Sequence, residues 1–340
     1  MSTRRTFIKA LGGLALLGPA VARAQAPAVP VRVGYVPVIG ASALFVLEGA
    51  GWAKEAGLDI RTTKFDSGPN AIQALASGTL DVLAIGVAPV AVARAKGIDV
   101  KVVAAGATGG SAFVASPALA DAFAPGATPA QAFAAFRARH GRPAKLATLP
   151  PGGVPTVALH HWLSKVAKVD KADVTITQMG IEAVQQALLA GAVDGGTALE
   201  PSVTLVMERN PRLKRIVTAP EMFPDIPGVV FAVTAAFERA NPKAVETLVR
   251  LIVRATEMLK ANPAQAAPYV QAILGGGLVD TATIAKAIAS PAVSYVADPR
   301  TIVQATEAML AFQVELGDFP AAPPTAGLFD PAYYLRVAGL

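Results

Sequence analysis

The sequence predicts a two-lobed α/β protein, each lobe a parallel-rich sheet flanked by helices, with two hinge crossings between the lobes. Three observations predict it. The chain repeats itself at an offset of 113 residues. Each copy alternates short β-branched runs with helical periods. Two further apolar runs, each preceded by glycine, lie outside the copies.

The repeat is clearest in "QALASGTLD" (Gln73 to Asp81) and "QALLAGAVD" (Gln186 to Asp194). Its flanks agree in order and spacing: "VRVGYVP" ending at Pro37 against "AKLATLP" ending at Pro150, Gly40 against Gly153, "DIRTTKF" from Asp59 against "DVTITQM" from Asp173, and "GVAPV" from Gly86 against "ALEPSV" from Ala198. In the first copy the expected elements are a strand over Val31 to Val36, a helix from Ser42 to Ala56, a strand over Leu58 to Phe65, a helix from Pro69 to Ser77 and a strand over Val82 to Ile85. The second copy repeats them as Lys145 to Leu149, Thr156 to Ala167, Val174 to Met179, Ile181 to Ala190 and Gly195 to Ala198. Ser111 to Ala115 and Val229 to Val233 are expected to be the strands that pass between lobes. "PKAVETLVRLIVRATEMLKAN" (Pro242 to Asn262) places Val245, Leu248, Leu251, Ile252 and Leu259 at helical spacing, so it should pack on the first lobe. The expected organisation is residues 28–113 for the first part of lobe I, 114–227 for lobe II, and 228–340 for the return to lobe I and the C-terminal helices.

Residues 1–24 stand apart. Arg4 and Arg5 precede an apolar stretch from Ala10 to Ala22, and Ala22-Arg23-Ala24 offers a small-x-small cleavage site before Gln25. The stretch is too short to span a bilayer of roughly 30 Å. It reads as an export signal of the twin-arginine type, with an ordinary secretory signal as the alternative. The formal charge of +6 includes Arg4, Arg5, Lys9 and Arg23, so the remaining chain is close to neutral and gives no electrostatic case for nucleic acid. With no cysteine there is no disulfide, thiolate metal site, thiol nucleophile or lipidated N-terminal Cys. The expectation is a monomer with no cofactor, no metal and no direct membrane insertion.

In open parallel sheets, ligands bind outside the carboxyl ends of the strands. Two lobes joined by two crossings turn those ends toward each other, which nominates the loops 37–42, 66–70, 86–89, 108–111, 150–156, 199–202 and 222–227. Together "GYVPVIGASALF", "FDSGPNAIQALASGTLDVLAIGVAP", "LATLPPGGVPT" and "AVDGGTALEPS" resemble the solute-binding proteins of ABC importers, and within them the nitrate, sulfonate and taurine group, NMT1-like proteins included. The resemblance implies a type II periplasmic binding protein fold. It also implies a small-molecule solute, an ABC permease and its ATPase as partners, a periplasmic location and no enzymatic activity. A thiamine-precursor pyrimidine binder or synthase on the same fold is an alternative, although the synthases use a cysteine-rich motif that this chain lacks. A ligand-sensing periplasmic subunit is another.

The candidate ligand contacts are Gly40, Ser42, Ser67, Gly68, Val87, Ala88, Ser111, Gly152, Gly153, Thr156 and Glu200. Gly152 and Gly153 let backbone approach a ligand, and the following helix offers free N–H groups, with Thr156 adding a hydroxyl near the N-cap. A plain strand-to-helix turn is the alternative there. Ser42 either donates to a ligand or caps its own helix. Ser67 and Gly68 resemble a family loop beside the ligand, or Ser67 caps the helix at Pro69. Glu200 suits a ligand ammonium or hydroxyl, or a hinge salt bridge. His160 and His161 are adjacent, so they cannot form a metal pair on one helix face. Trp52 and Trp162 are read as packing residues. The turns at Pro37 to Ser42 and Pro150 to Gly153 hold no Lys, Arg, Gln or Asn, which favours a small organic acid, sulfonate, taurine-like or aromatic ligand over nitrate.

Overall fold

The computed structural model describes residues 27–276 and 279–340. The export signal expected over residues 1–24 lies outside them.

Twelve strands are present among the described residues: β1 Val29–Tyr35, β2 Leu58–Lys64, β3 Val82–Gly86, β4 Val100–Ala105, β5 Ala107–Gly109, β6 Ser111–Ala115, β7 Ala144–Thr148, β8 Val174–Gln178, β9 Gly195–Leu199, β10 Lys214–Thr218, β11 Val229–Thr234 and β12 Val293–Tyr295. One sheet has the order β2-β1-β3-β11-β4 and the other, read from its opposite edge, β8-β7-β9-β6-β10. The two orders are the same pattern. In each, three strands from one copy of the repeat run parallel. An antiparallel strand then joins each sheet, β11 in the first and β6 in the second, on which the chain has just arrived from the other lobe.

The residue pattern that revealed the repeat has a physical cause. The Asp81 carboxylate accepts the Arg32 backbone N–H at 2.9 Å and the Arg32 guanidinium at 2.6 Å, while the Asp81 N–H donates to the Arg32 carbonyl at 2.8 Å. Asp194 does the same one repeat later, accepting the Lys145 N–H at 2.8 Å and the Arg142 guanidinium at 2.6 Å, and donating its own N–H to the Lys145 carbonyl at 2.7 Å. Each aspartate therefore clamps the start of its third strand to the first strand of its own copy. The helix before it ends at a glycine turn in both copies, Gly78 at φ 76° and Gly191 at φ 68°, where a side chain would be strained.

Most expected elements are present within two residues of their bounds. The helix expected from Ser42 to Ala56 is instead two, Ser42–Gly49 and Trp52–Glu55, broken at Gly51 with φ 77°. The helix expected from Thr156 begins at Val154, because Pro155 has its φ preset and needs no N–H acceptor in a first turn. It widens into a π turn over Trp162–Val166. The first boundary also moves. β6 belongs wholly to the second sheet, so the chain leaves lobe I at 106–110 rather than at residue 113, and it returns at 223–228.

The long helix Pro242–Ala261 buries Val245, Leu248, Leu251, Ile252 and Leu259 and packs on Ser42–Gly49 of the first lobe. Each fully buried side chain of this size contributes roughly 1.5–3 kcal/mol. Arg254 on this helix lays its guanidinium over the Trp52 ring, 3.6 Å from the centroid, and Trp162 packs against Phe113 at 5.0 Å. Both tryptophans thus belong to helix packing. No described helix is long and apolar enough to cross a membrane.

Burial raises the Asp194 carboxyl, but the Arg142 and Lys145 hydrogen bonds outweigh it and hold its pKa below the ordinary aspartate value. A depressed acid stabilises the fold above its unfolded pKa, and that contribution is lost as pH falls through the folded value. Asp194→Asn should therefore cost about 1–3 kcal/mol near pH 7. The gap in melting temperature from the parent protein should close below about pH 4. Thermal melts at pH 7 and through a series descending from about pH 4 check this, and a gap that stays constant to the end of the series would contradict it.

Candidate functional site

The two crossings are hydrogen-bonded to each other. Gly109 donates its N–H to the Ile226 carbonyl at 2.9 Å, and Gly228 donates to Ala107 at 3.0 Å. β12 pairs with β5 on the same crossing. The approach excludes side chains: a Cβ on Gly228 would lie 2.7 Å from the Ala107 oxygen, and Gly109 sits at φ 68°. A third link joins the lobes directly, from the Ile39 N–H to the Glu200 carbonyl at 2.9 Å.

The carboxyl ends of the parallel strands face each other across a narrow cleft with about 70 Å³ of free volume. From lobe I it is lined by Val36, Val38 and Gly40 after β1, by Ser67, Gly68 and Pro69 after β2, and by Gly86 and Pro89 at the end of β3. From lobe II come Leu149, Pro150, Gly153, Val154 and Pro155 after β7, Ile181 after β8, and Leu199 at the end of β9. The crossings supply Gly109, Gly110, Gly228 and Val229. Among the described residues no lining residue is charged, and Ser67 provides the one side-chain hydroxyl.

Helices begin at this cleft from both lobes, at Gly68, Val87, Val154 and Ile181. A helix N-terminus normally presents several free N–H groups. Pro69, Pro89 and Pro155 each remove one from the first turn, so three of these ends are poor in donors and present a ring to the cleft instead. The walls are consequently apolar, with scattered backbone donors such as the Val154 N–H, which has no intrahelical acceptor at its position.

The sequence matches the NMT1-like family over residues 24–274. The chain belongs to this family. A Brucella abortus protein named provisionally as a binding protein is 28% identical over 266 residues, covering 77% of this chain and 76% of its own. Among solved structures, the periplasmic nitrate-binding protein NrtA of Synechocystis superposes with a TM-score of 0.77 at 17% identity, covering 92% of this chain and 89% of that one. The alkanesulfonate-binding protein SsuA of Xanthomonas axonopodis, bound to MOPS, gives 0.69 at 17% identity, covering 91% and 100%. These likenesses show the fold, that of two-lobed periplasmic binding proteins. The solved structures it resembles are named as binding proteins.

Within this NMT1-like protein, the candidate residues from the sequence divide. Gly40, Ser67, Gly68 and Gly153 line the cleft. Ser67 also caps its own helix, accepting the Asn70 N–H at 3.4 Å, so both of its expected roles are compatible with its position. Val87 and Ala88 do not line the cleft: they are fully buried in the helix Val87–Ala95, and their neighbours Gly86 and Pro89 take that place. Gly152, at φ 78°, turns outward to a neighbouring groove. Thr156 stands at the third helical position, behind Gly153 as N-cap, and its buried hydroxyl donates back to the Leu149 carbonyl at 2.7 Å. It braces the turn and is not free to face a ligand.

Ser42 and Ser111 are buried with hydroxyls that have no protein partner, and neither lines the cleft. Ser42 does not cap its helix, since Ala41 is the N-cap. Glu200 is also behind the cleft wall, 1% exposed. It makes no ion pair with any described residue: Oε2 accepts the Thr204 N–H at 3.0 Å and Oε1 has no partner. The expected hinge salt bridge does not form among the described residues, although the Glu200 backbone does join the two lobes. His161 is held by its Nδ1 against the Met222 carbonyl at 2.8 Å and stacks on Phe223, while His160 faces the opposite outer groove. No group of metal-binding side chains occurs among the described residues.

Val38, Pro69, Val154, Pro155 and Leu199 fall within the loops nominated from the sequence without being singled out as contacts; Val36 and Leu149 lie just outside those loops, and Ile181 lies in none of them. A usable signal was present: prolines open the helices of both copies just after the strands.

Burial pushes the Glu200 carboxyl above its ordinary value, and the neighbouring Ser290 and Thr204 oppose it. An acid raised on folding destabilises the fold when charged, and the penalty is relieved as pH falls toward the folded pKa. Glu200→Gln should therefore melt at or above the parent temperature near pH 7, with the difference shrinking toward about pH 5. A melting series over that range tests it; a variant less stable at the higher pH would show that the charged carboxylate is needed.

Proposed function

We propose that the chain is the periplasmic solute-binding subunit of an ABC importer, capturing a small organic solute between its lobes and handing it to a permease driven by a cytoplasmic ATPase. The observation that carries the reading is the cleft itself. It lies between the carboxyl ends of two similar sheets, at a hinge of two hydrogen-bonded crossings, and is walled by both lobes. A solute that touches both walls favours the closed arrangement, so capture and closure are one event. Family membership and the resemblance to NrtA and SsuA support the same role. The expected export signal supports the location.

The solute follows from the lining. Nitrate is small and densely polar, and a wall of valine, leucine, isoleucine and proline offers it little replacement for lost hydration. An organic acid, sulfonate, taurine-like or aromatic solute has an apolar body to lay on these walls. Its acceptor atoms can take the few backbone N–H groups and the Ser67 hydroxyl. The small free volume favours a compact member of that class.

Thermal unfolding with a panel of short alkanesulfonates, taurine, nitrate, aromatic carboxylates and pyrimidines tests this. A solute at 100 times its dissociation constant stabilises by roughly 2.7 kcal/mol, a shift of a few degrees. An organic acid or aromatic compound should give the largest shift and nitrate none. Ile181→Ser, which removes a half-buried wall residue, should weaken the best solute by about 10- to 100-fold while leaving the melting point of the empty protein within a few degrees. Preference for nitrate, or indifference to Ile181→Ser, would reject the assignment.

A further inference from the structure

A second concavity, separate from the cleft, lies between the lobes on their outer side. It is an open groove of about 810 Å³. Lobe II contributes the π turn after His161 and strand β8, and the opposite wall is the C-terminal helix Val303–Glu315 with Leu316. Its size falls in the range of small-molecule sites.

The groove combines apolar walls with cationic ends. Leu163 and Ile176 face it from lobe II, and Phe312 and Leu316 from the C-terminal helix. Lys165, Lys168 and Lys171 stand along one side. Lys165 is already committed, its Nζ 2.6 Å from Glu315 Oε2 across the lobes. Lys168 and Lys171 make no ion pair with any described residue, and Asp170 between them accepts the Ala172 N–H at 2.8 Å. Lys168 is one of two non-glycine residues at positive φ among the described residues, at 52°.

We propose that this groove is a second binding site, for a compact anionic amphiphile: a carboxylate or sulfonate head held by Lys168 and Lys171, on an alkyl body laid between Ile176 and Leu316. The two lysines supply charge-assisted hydrogen bonds, and the walls supply apolar contact that an inorganic anion cannot use. Both lobes form the groove, so its occupant favours the lobe arrangement in which both walls are in place.

Octanoate is the probe, titrated calorimetrically into the full-length mature protein. Binding is expected, and Lys168→Glu with Lys171→Glu should weaken it by about tenfold or more, since each exposed lysine contributes a charge-assisted contact. Ile181→Ser, in the cleft, should change it by less than about twofold because the sites share no lining residue. Methyl resonances of Ile176 and Leu316 should shift on titration while that of Ile181 stays in place, a reading that needs no variant. Affinity unaffected by the double lysine variant, loss confined to Ile181→Ser, or no binding at millimolar octanoate would each overturn the proposal.

Discussion

Everything in this molecule that bears on a ligand depends on the contact between the two crossings. Ala107 to Gly109 and Ile226 to Gly228 lie close enough to exchange backbone hydrogen bonds, and no side chain fits at Gly228. That contact fixes how the two sheets face each other. Were the crossings apart, the carboxyl ends of β1, β3, β7 and β9 would be two separate surfaces. Held together, they enclose one slot. The contact between the Ile39 N–H and the Glu200 carbonyl adds a third point of attachment.

The two lobes are near copies in topology but not in chemistry. Both use an aspartate to clamp the first strand to the third, and both start helices with proline beside the cleft. The polar positions that looked most functional have mostly been drawn into the framework. Thr156 braces its turn, Glu200 supports the hinge, and Ser42 and Ser111 are buried behind the wall. What remains in the cleft is backbone, proline ring, aliphatic side chain and the Ser67 hydroxyl. This composition gives weak discrimination by hydrogen bonding and leaves shape as the main selector, since polar specificity requires placed partners that a mismatched ligand would leave unpaired.

Three ion pairs bridge the lobes away from the hinge: Lys64 with Glu182 at 2.8 Å, Lys165 with Glu315 at 2.6 Å and Lys286 with Glu208 at 2.6 Å. All are substantially exposed, and pairs of this kind contribute little individually. They add little to holding the lobes together. The outer groove lies beside one of them.

The sequence by itself determined the architecture. A repeat at 113 residues, with strand and helix periods in each copy, dictates two similar parallel sheets, and the parallel arrangement dictates which loops can meet. These are local or periodic properties, written in neighbouring residues. The crossings were legible as glycine-bounded runs, though β6 proved to belong wholly to the lobe it enters. The cleft lining was decided only by the tertiary structure. Val154, Ile181 and Leu199 have the same hydrophobic signature as core residues, because exposure to a slot between lobes depends on the position of the other lobe and not on neighbours in sequence. For the same reason Glu200, an acid in a predicted inner loop, proved to be buried: burial is a property of the assembled hinge, to which residues 39, 110 and 204 all contribute.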